Sequence, residues 1–211
     1  MRQVALGFRA HSGWTAFVAI ALEEGHPQVL LRERPHLVKT FNYEFRQPYH
    51  TAKKRSSAEA RDFVSRVRAE ARSLAWQAIS SAQSSFQHQG YELKRCGLLL
   101  PSGKPLPDLP QILASHALIH TADGELFREA LLHAGERCGL ETFTAKESEL
   151  FERASHTLQL KADELGRRLV ALGTLVGSPW TQDEKLAALV AWLSLACPPH
   201  APQIYGSAKS R

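Results

Sequence analysis

The sequence predicts an α/β fold of five strands, and three observations carry that prediction. Two apolar runs rich in β-branched and aromatic residues, 3–9 and 13–22, flank the hairpin-length connection Ala10-His11-Ser12-Gly13. Residues 91–100 enclose Cys96-Gly97-Leu98-Leu99-Leu100, the short continuous apolar run of a strand buried on both sides. Elsewhere, helical periodicities opened by capping boxes alternate with single strands.

Taken in order, a third run, Val29-Leu30-Leu31-Arg32-Glu33-Arg34, follows the Gly25-His26-Pro27 turn and completes a β-meander, and 38–45 reads as a fourth strand or a frayed edge. Ser56-Ser57-Ala58-Glu59 is a capping box, its hydroxyl and carboxylate each satisfying an orphaned backbone donor. It opens a long helix. Apolar positions Ala60, Phe63, Val64, Val67, Ala71, Leu74, Ala75 and Ile79 recur at three and four residues, so one stripe packs inward while Arg61, Arg68 and Arg72 share another face. Gly90 closes that region. After the 91–100 strand, Pro101, Pro105, Pro107 and Pro110 make an irregular loop, and 112–118 reads as a short helix. Thr121 is the expected N-cap of a helix stopped by Gly139, and 140–144 is a short strand. Thr144-Ala145-Lys146-Glu147 reads as a capping box for a helix toward Leu172, and Thr181-Gln182-Asp183-Glu184 as another for the last helix. Trp14, Trp76 and Trp192 fall in apolar patterns and are expected in the core, and Trp180 as a hydrophobic staple. The order is β-β-β-α-β-α-β-α-α in a single domain, 1–197, with a loose tail at 198–211.

Composition narrows the function classes. A chain of 211 residues is long enough for one well-buried core, and no apolar run approaches the roughly 20 residues that span a bilayer. Gly7, Arg9, His11 and Ser12 interrupt any export signal. Cys96, Cys138 and Cys197 are odd in number and far apart, which fits neither a disulfide framework nor a paired zinc motif, so the expected compartment is a reducing cytoplasm. The net charge of +5 is concentrated in residues 39–72, where nine Lys or Arg face four Asp or Glu. A stripe containing Lys53, Lys54, Arg55, Arg61, Arg68 and Arg72 suits nucleic-acid phosphates. A solvated helix using Arg for solubility and helix propensity has the same composition.

The run from Ala5 to Ile20 resembles the opening hairpin of the ribonuclease H-like superfamily, and the order of elements over nearly the whole chain resembles the RuvC-like Holliday-junction resolvases. The resemblance implies a five-stranded mixed sheet with helices on its faces. It also implies an aspartate ending the first strand, a glutamate ending the fourth and paired aspartates on the last helix, all serving divalent metals. In this sequence the first position is Arg9, and the fourth strand ends in Leu99-Leu100-Pro101-Ser102-Gly103. Glu184 can stand for the first aspartate of the pair, while the second falls on Ala187. Two cations about 4 Å apart need several carboxylates to offset their repulsion. A guanidinium in their midst opposes them and suits a phosphate or carboxylate instead. A catalytically diverged member without the two-metal nuclease chemistry is therefore expected. Similarity to the actin-like ATPases is weaker, because their phosphate hairpins use the same lost aspartate. The pieces His11-Ser12-Gly13-Trp14, Pro48-Tyr49-His50, 114–120 and Pro179-Trp180-Thr181 also resemble a bacterial family of this length, which adds no function.

The densest candidate chemistry lies in the segment from Ser115 to Arg128. His116 and His120 share a face on a continuous helix, a metal-ligand spacing that Asp123 or Glu125 could complete, although capping and loop hydrogen bonds use the same residues. The segment follows the fourth strand, so it belongs at the carboxyl ends where open sheets place ligands. His11 and Ser12 could pair as base and nucleophile, but a turn with positive φ at Gly13 is the preferred reading. Tyr49 and His50, just before Lys53, could touch a phosphate or base. The expected function is binding of nucleic acid or a phosphorylated ligand at the strand ends through Arg9, His11, the 116–128 segment and the basic helix. A hydrolytic enzyme with a histidine site, with or without one divalent metal, is the second class. A protein-interaction module, such as a homodimer, is the third.

Overall fold

Strands β1 (Arg2–His11), β2 (Trp14–Glu23) and β3 (His26–Glu33) form the expected antiparallel meander in the computed structural model, which describes residues 2–101 and 105–197. The expected tail at 198–211, like Ser102 and Gly103, lies outside the described residues. His11 pairs with Trp14, so Ser12 and Gly13 alone make the turn, with Gly13 at φ +84°. Strands β4 (Tyr91–Leu100) and β5 (Glu141–Lys146) add in parallel, giving a mixed sheet of order β3-β2-β1-β4-β5. The five-stranded α/β architecture is as the sequence predicts.

Alternation along β1 assigns each face its helices. Val4, Leu6 and Phe8 enter a core with helices α2 (Pro48–Ala52), α3 (Ser57–His88) and α5 (His116–Arg137). The opposite face carries α6 (Leu150–Leu158), α7 (Ala162–Val176) and α8 (Gln182–Ala196). Helix α8 lies directly on the sheet because Gly7 and Gly97, partners in register on β1 and β4, leave room for its backbone. A Cβ on Gly7 would stand 1.8 Å from the Ala187 carbonyl oxygen, and one on Gly97 2.7 Å from that of Val190.

On α3 the predicted stripe is buried and extends to Ala82 and Phe86, while Leu74 is only half-buried. Its capping box forms, with Ser56 and Glu59 bonded reciprocally. Ser56→Ala is expected to lower stability by about 1 kcal/mol, read as a shift in denaturant midpoint without a change in slope.

Several expectations are corrected. Residues 38–45 form no strand: Asn42 caps a short helix, α1 (Tyr43–Arg46), and Pro48 starts α2 with no N–H to lose. The predicted short helix is α4 (Leu109–Ala114), capped by Asp108. Thr121 is not an N-cap; Ser115 caps α5, and the Thr121 hydroxyl bonds back to Ala117 O inside it. The box at 144–147 does not form because Thr144, Ala145 and Lys146 continue the ladder with β4. The long helix expected beyond it is divided at Gln159, which takes φ +53°. Trp14 and Trp76 are half-buried, whereas Trp192 is in the core. Trp180 braces α7 instead of stapling α8, its indole donating to Leu169 O at 2.7 Å. Among the described residues, no helix is long and apolar enough to cross a membrane.

Candidate functional site

Alternation places Arg9 and His11 at the carboxyl end of β1 on the α8 face. Arg9 is held by the chain's own acids. Its Nε and Nη2 donate to the two Glu147 oxygens at 3.1 and 3.0 Å, and Nη1 donates to Asp183 Oδ1. His11 Nε2 stands 3.0 Å from Arg9 Nη1 and 3.1 Å from Asp183 Oδ1, and its ring stacks on Trp14 with centroids 4.3 Å apart. Burial works against the Arg9 charge, but the Glu147 and Asp183 carboxylates outweigh it and hold its pKa above the ordinary value. The anion expected at Arg9 is therefore supplied internally. The Ser12 carbonyl accepts from Arg46 Nε at 3.1 Å, which ties the hairpin turn to α1.

Glu184, adjacent in sequence, serves a different purpose. Its side chain is 2% exposed. It caps α8 by accepting from Thr181 N at 2.8 Å and from the Thr181 hydroxyl, and it accepts from Arg34 Nε at 2.8 Å. Burial raises its pKa, yet these hydrogen bonds dominate and bring it below the ordinary 4.5. The folded state thus favours the carboxylate. Its contribution is complete above about pH 4.5 and is lost as pH falls through the depressed value. Glu184→Gln is expected to cost about 2 kcal/mol at pH 7, with the gap to the parent narrowing below pH ~4 in pH-dependent denaturation.

The histidines gather on the opposite face of the sheet. His50 of α2 meets His116 and His120, one turn apart on α5, with ring centroids 4.4 Å (His50–His120), 4.5 Å (His116–His120) and 5.5 Å (His50–His116) apart. Asp123, one turn further along α5, is 2% exposed and accepts from Tyr49 N at 2.7 Å and pairs with His50 Nδ1 at 2.5 Å. Burial pushes the Asp123 carboxyl above its ordinary range against the pull of those hydrogen bonds. Ser115 starts the helix, and Glu125 is paired with Arg128 at 2.9 Å.

The pattern of strands and helices can be compared with known proteins. A structure of Thermus thermophilus RuvC in complex with a Holliday junction substrate matches with a TM-score of 0.52 at 13% identity, over 92% of this chain and 93% of that one. A further T. thermophilus RuvC structure gives 0.50 and 11% over the same shares. The fold is ribonuclease H-like, of the RuvC type. No family model and no curated protein sequence matches the chain.

On this RuvC-type fold the sequence-derived candidates do not form one site. Arg9, His11 and Glu184 lie toward α8, and His50, His116 and His120 lie between α2 and α5. The basic stripe also divides. Arg68 and Arg72 reach Glu129 on α5, Arg68 Nη2 donates to the buried Tyr49 hydroxyl at 3.1 Å, and Arg55 pairs with Glu44 at 2.9 Å. Lys53, Lys54 and Arg61 are exposed with no ion pair among the described residues, and so is Arg66, which sequence reasoning passed over. Glu147, Asp183 and Arg34 were missed as partners. Asp183 could have been found beside Glu184 at the start of α8, but the signal for Glu147 was obscured by the capping box read around it. Cys96 offers no nucleophile: burial pushes its thiol up to about 11.

Proposed function

We propose that this chain binds nucleic acid on the α2–α3 surface and does not perform two-metal hydrolysis at its strand ends. The observation that carries this reading is the division of charge between the two places. At the strand ends Glu147 and Asp183 are both spent on Arg9, and Glu184 on Arg34 and the α8 cap. Two guanidiniums among three carboxylates leave too little negative charge for a pair of divalent cations. On the other face, Lys53, Lys54, Arg61 and Arg66 remain exposed to solvent and available to phosphates.

A groove of about 360 Å³ supports the reading. Arg61, Ser65 and Arg68 line it from α3, and Leu106 and Pro107 from the segment after β4, so a cationic wall faces an apolar one. That combination suits a phosphate joined to a sugar or base. The T. thermophilus RuvC that shares the fold has been captured with a four-way DNA junction, which makes branched DNA the first ligand to try.

Fluorescence anisotropy with branched, duplex and single-stranded DNA over a salt series tests the proposal. Affinity is expected to fall with salt. Replacing Lys53, Lys54, Arg61 and Arg66 together by alanine is expected to weaken binding at least tenfold and to flatten the log–log salt slope by about 0.7–0.9 per phosphate contact removed. No cleavage is expected on adding Mg²⁺. Salt-independent binding, or full affinity in the fourfold variant, would refute the assignment of the surface.

A further inference from the structure

We propose that His50, His116 and His120 form a three-histidine site for a single zinc-class transition-metal ion at the α2–α5 junction. One nitrogen from each ring can be chosen so that all three lie within 4.8 Å of one another. Tetrahedral zinc with Zn–N bonds of ~2.0 Å requires separations of roughly 3.3 Å. His116 and His120 are exposed, so small turns of their rings close the difference without disturbing the core. Imidazole suits zinc and its neighbours in the first transition row, whereas Mg²⁺ and Ca²⁺ prefer oxygen.

The surroundings of His50 carry the argument beyond proximity. Its Nδ1 is engaged by Asp123, which leaves Nε2 as the ring nitrogen free for a metal and, with an ionised carboxylate, favours the tautomer in which that nitrogen is the acceptor. A carboxylate behind a ligating histidine is the arrangement that orients metal ligands and raises their basicity. Asp123 is itself locked by the Tyr49 N–H. It is almost fully buried, and the Tyr49 N–H and His50 Nδ1 supply the hydrogen bonds a buried carboxylate needs, so His50 is tied to a fixed point of the core. The pairing also explains the local backbone: Pro48 begins α2 so that Tyr49 N and His50 face Asp123 together, and Ser115 starts α5 just before His116. Three protein ligands at an exposed position leave a fourth place for water, as in zinc sites that bind exchangeable ligands.

The test uses the full chain, treated with chelator and titrated with Zn²⁺ by calorimetry, with Co²⁺ as a spectroscopic probe. One ion per chain is expected, with the intense visible absorption of four-coordinate Co²⁺ and a rise in melting temperature on adding Zn²⁺. His116→Ala and His120→Ala alter exposed side chains and are expected to keep the fold while weakening Zn²⁺ at least 100-fold. Asp123→Asn is expected to weaken it 10- to 100-fold with all three ligands intact. Circular dichroism of the metal-free proteins checks that each variant is folded. Zn²⁺ binding of equal strength in the parent and in a folded His116→Ala/His120→Ala double variant would overturn the site, as would absence of stoichiometric binding by the parent.

Discussion

Gly7→Ala is expected to cost at least 3 kcal/mol, about the upper end of ordinary overpacking, and to release α8 from the sheet. The added Cβ would lie 1.8 Å from the Ala187 carbonyl oxygen and 2.8 Å from its carbon. Both are main-chain atoms inside a buried helix, so no rotamer change relieves the overlap. The neighbouring Gly97 makes the same approach to Val190 at 2.7 Å, and its alanine variant is expected to show a smaller loss of the same kind. Against a typical stability of about 5–15 kcal/mol, such a loss is a large share of the whole. Guanidinium denaturation measures the loss, and amide exchange locates it at α8. Gly166→Ala is the control. It lies within α7 with nothing inside 4 Å of the added methyl, and is expected to stabilise by about 1 kcal/mol through helix propensity. Parent-like stability of Gly7→Ala would mean that α8 does not lie on the sheet through this glycine pair.

Arg9→Asp is expected to turn the strand-end cluster from one with too little negative charge to hold a divalent cation into one that binds it. In the parent the guanidinium contacts both Glu147 and Asp183 directly and offsets one of their two negative charges. Substitution removes those bonds and adds a third carboxylate, which without metal is expected to cost about 2 kcal/mol. Mg²⁺ is the discriminating probe because it takes oxygen ligands and leaves the histidines alone. Thermal melts with increasing Mg²⁺ are expected to raise the variant by several degrees, an ion at 100 times its dissociation constant contributing about 2.7 kcal/mol. The parent is expected not to respond. An equal Mg²⁺ response in both would remove the electrostatic argument against two-metal chemistry at the strand ends.

The sequence conveyed the fold far better than the site. Strands β1, β2 and β4 and helices α3 and α8 were legible because each carries a strong local pattern: an apolar run with a turn, or a capping box followed by a helical stripe. The stretch 38–52 was not, since its two short helices are held by single contacts such as the Asn42 cap and by what they pack on. Similarly, β5 outlasts its apparent capping box because three ladder pairs with β4 outweigh one local cap. His116 and His120 were readable as a pair from their spacing. Their third partner, His50, lies 66 positions before His116 and could be joined to them only by the packing of α2 on α5.

What the sequence determined by itself was the order of elements and the residue at the end of β1. Periodicity and caps are local properties, and Arg9 stands three residues before the turn wherever the rest of the chain goes. Tertiary structure alone decided what Arg9 meets, that Asp183 and not Glu184 faces it, and that the histidines and the acids lie on opposite faces of the sheet. The physical reason is reach. Hydrogen bonds and ion pairs act over about 3 Å, so they depend on residues such as Glu147, 138 positions from Arg9, which only the closed sheet and its docked helices bring within that distance.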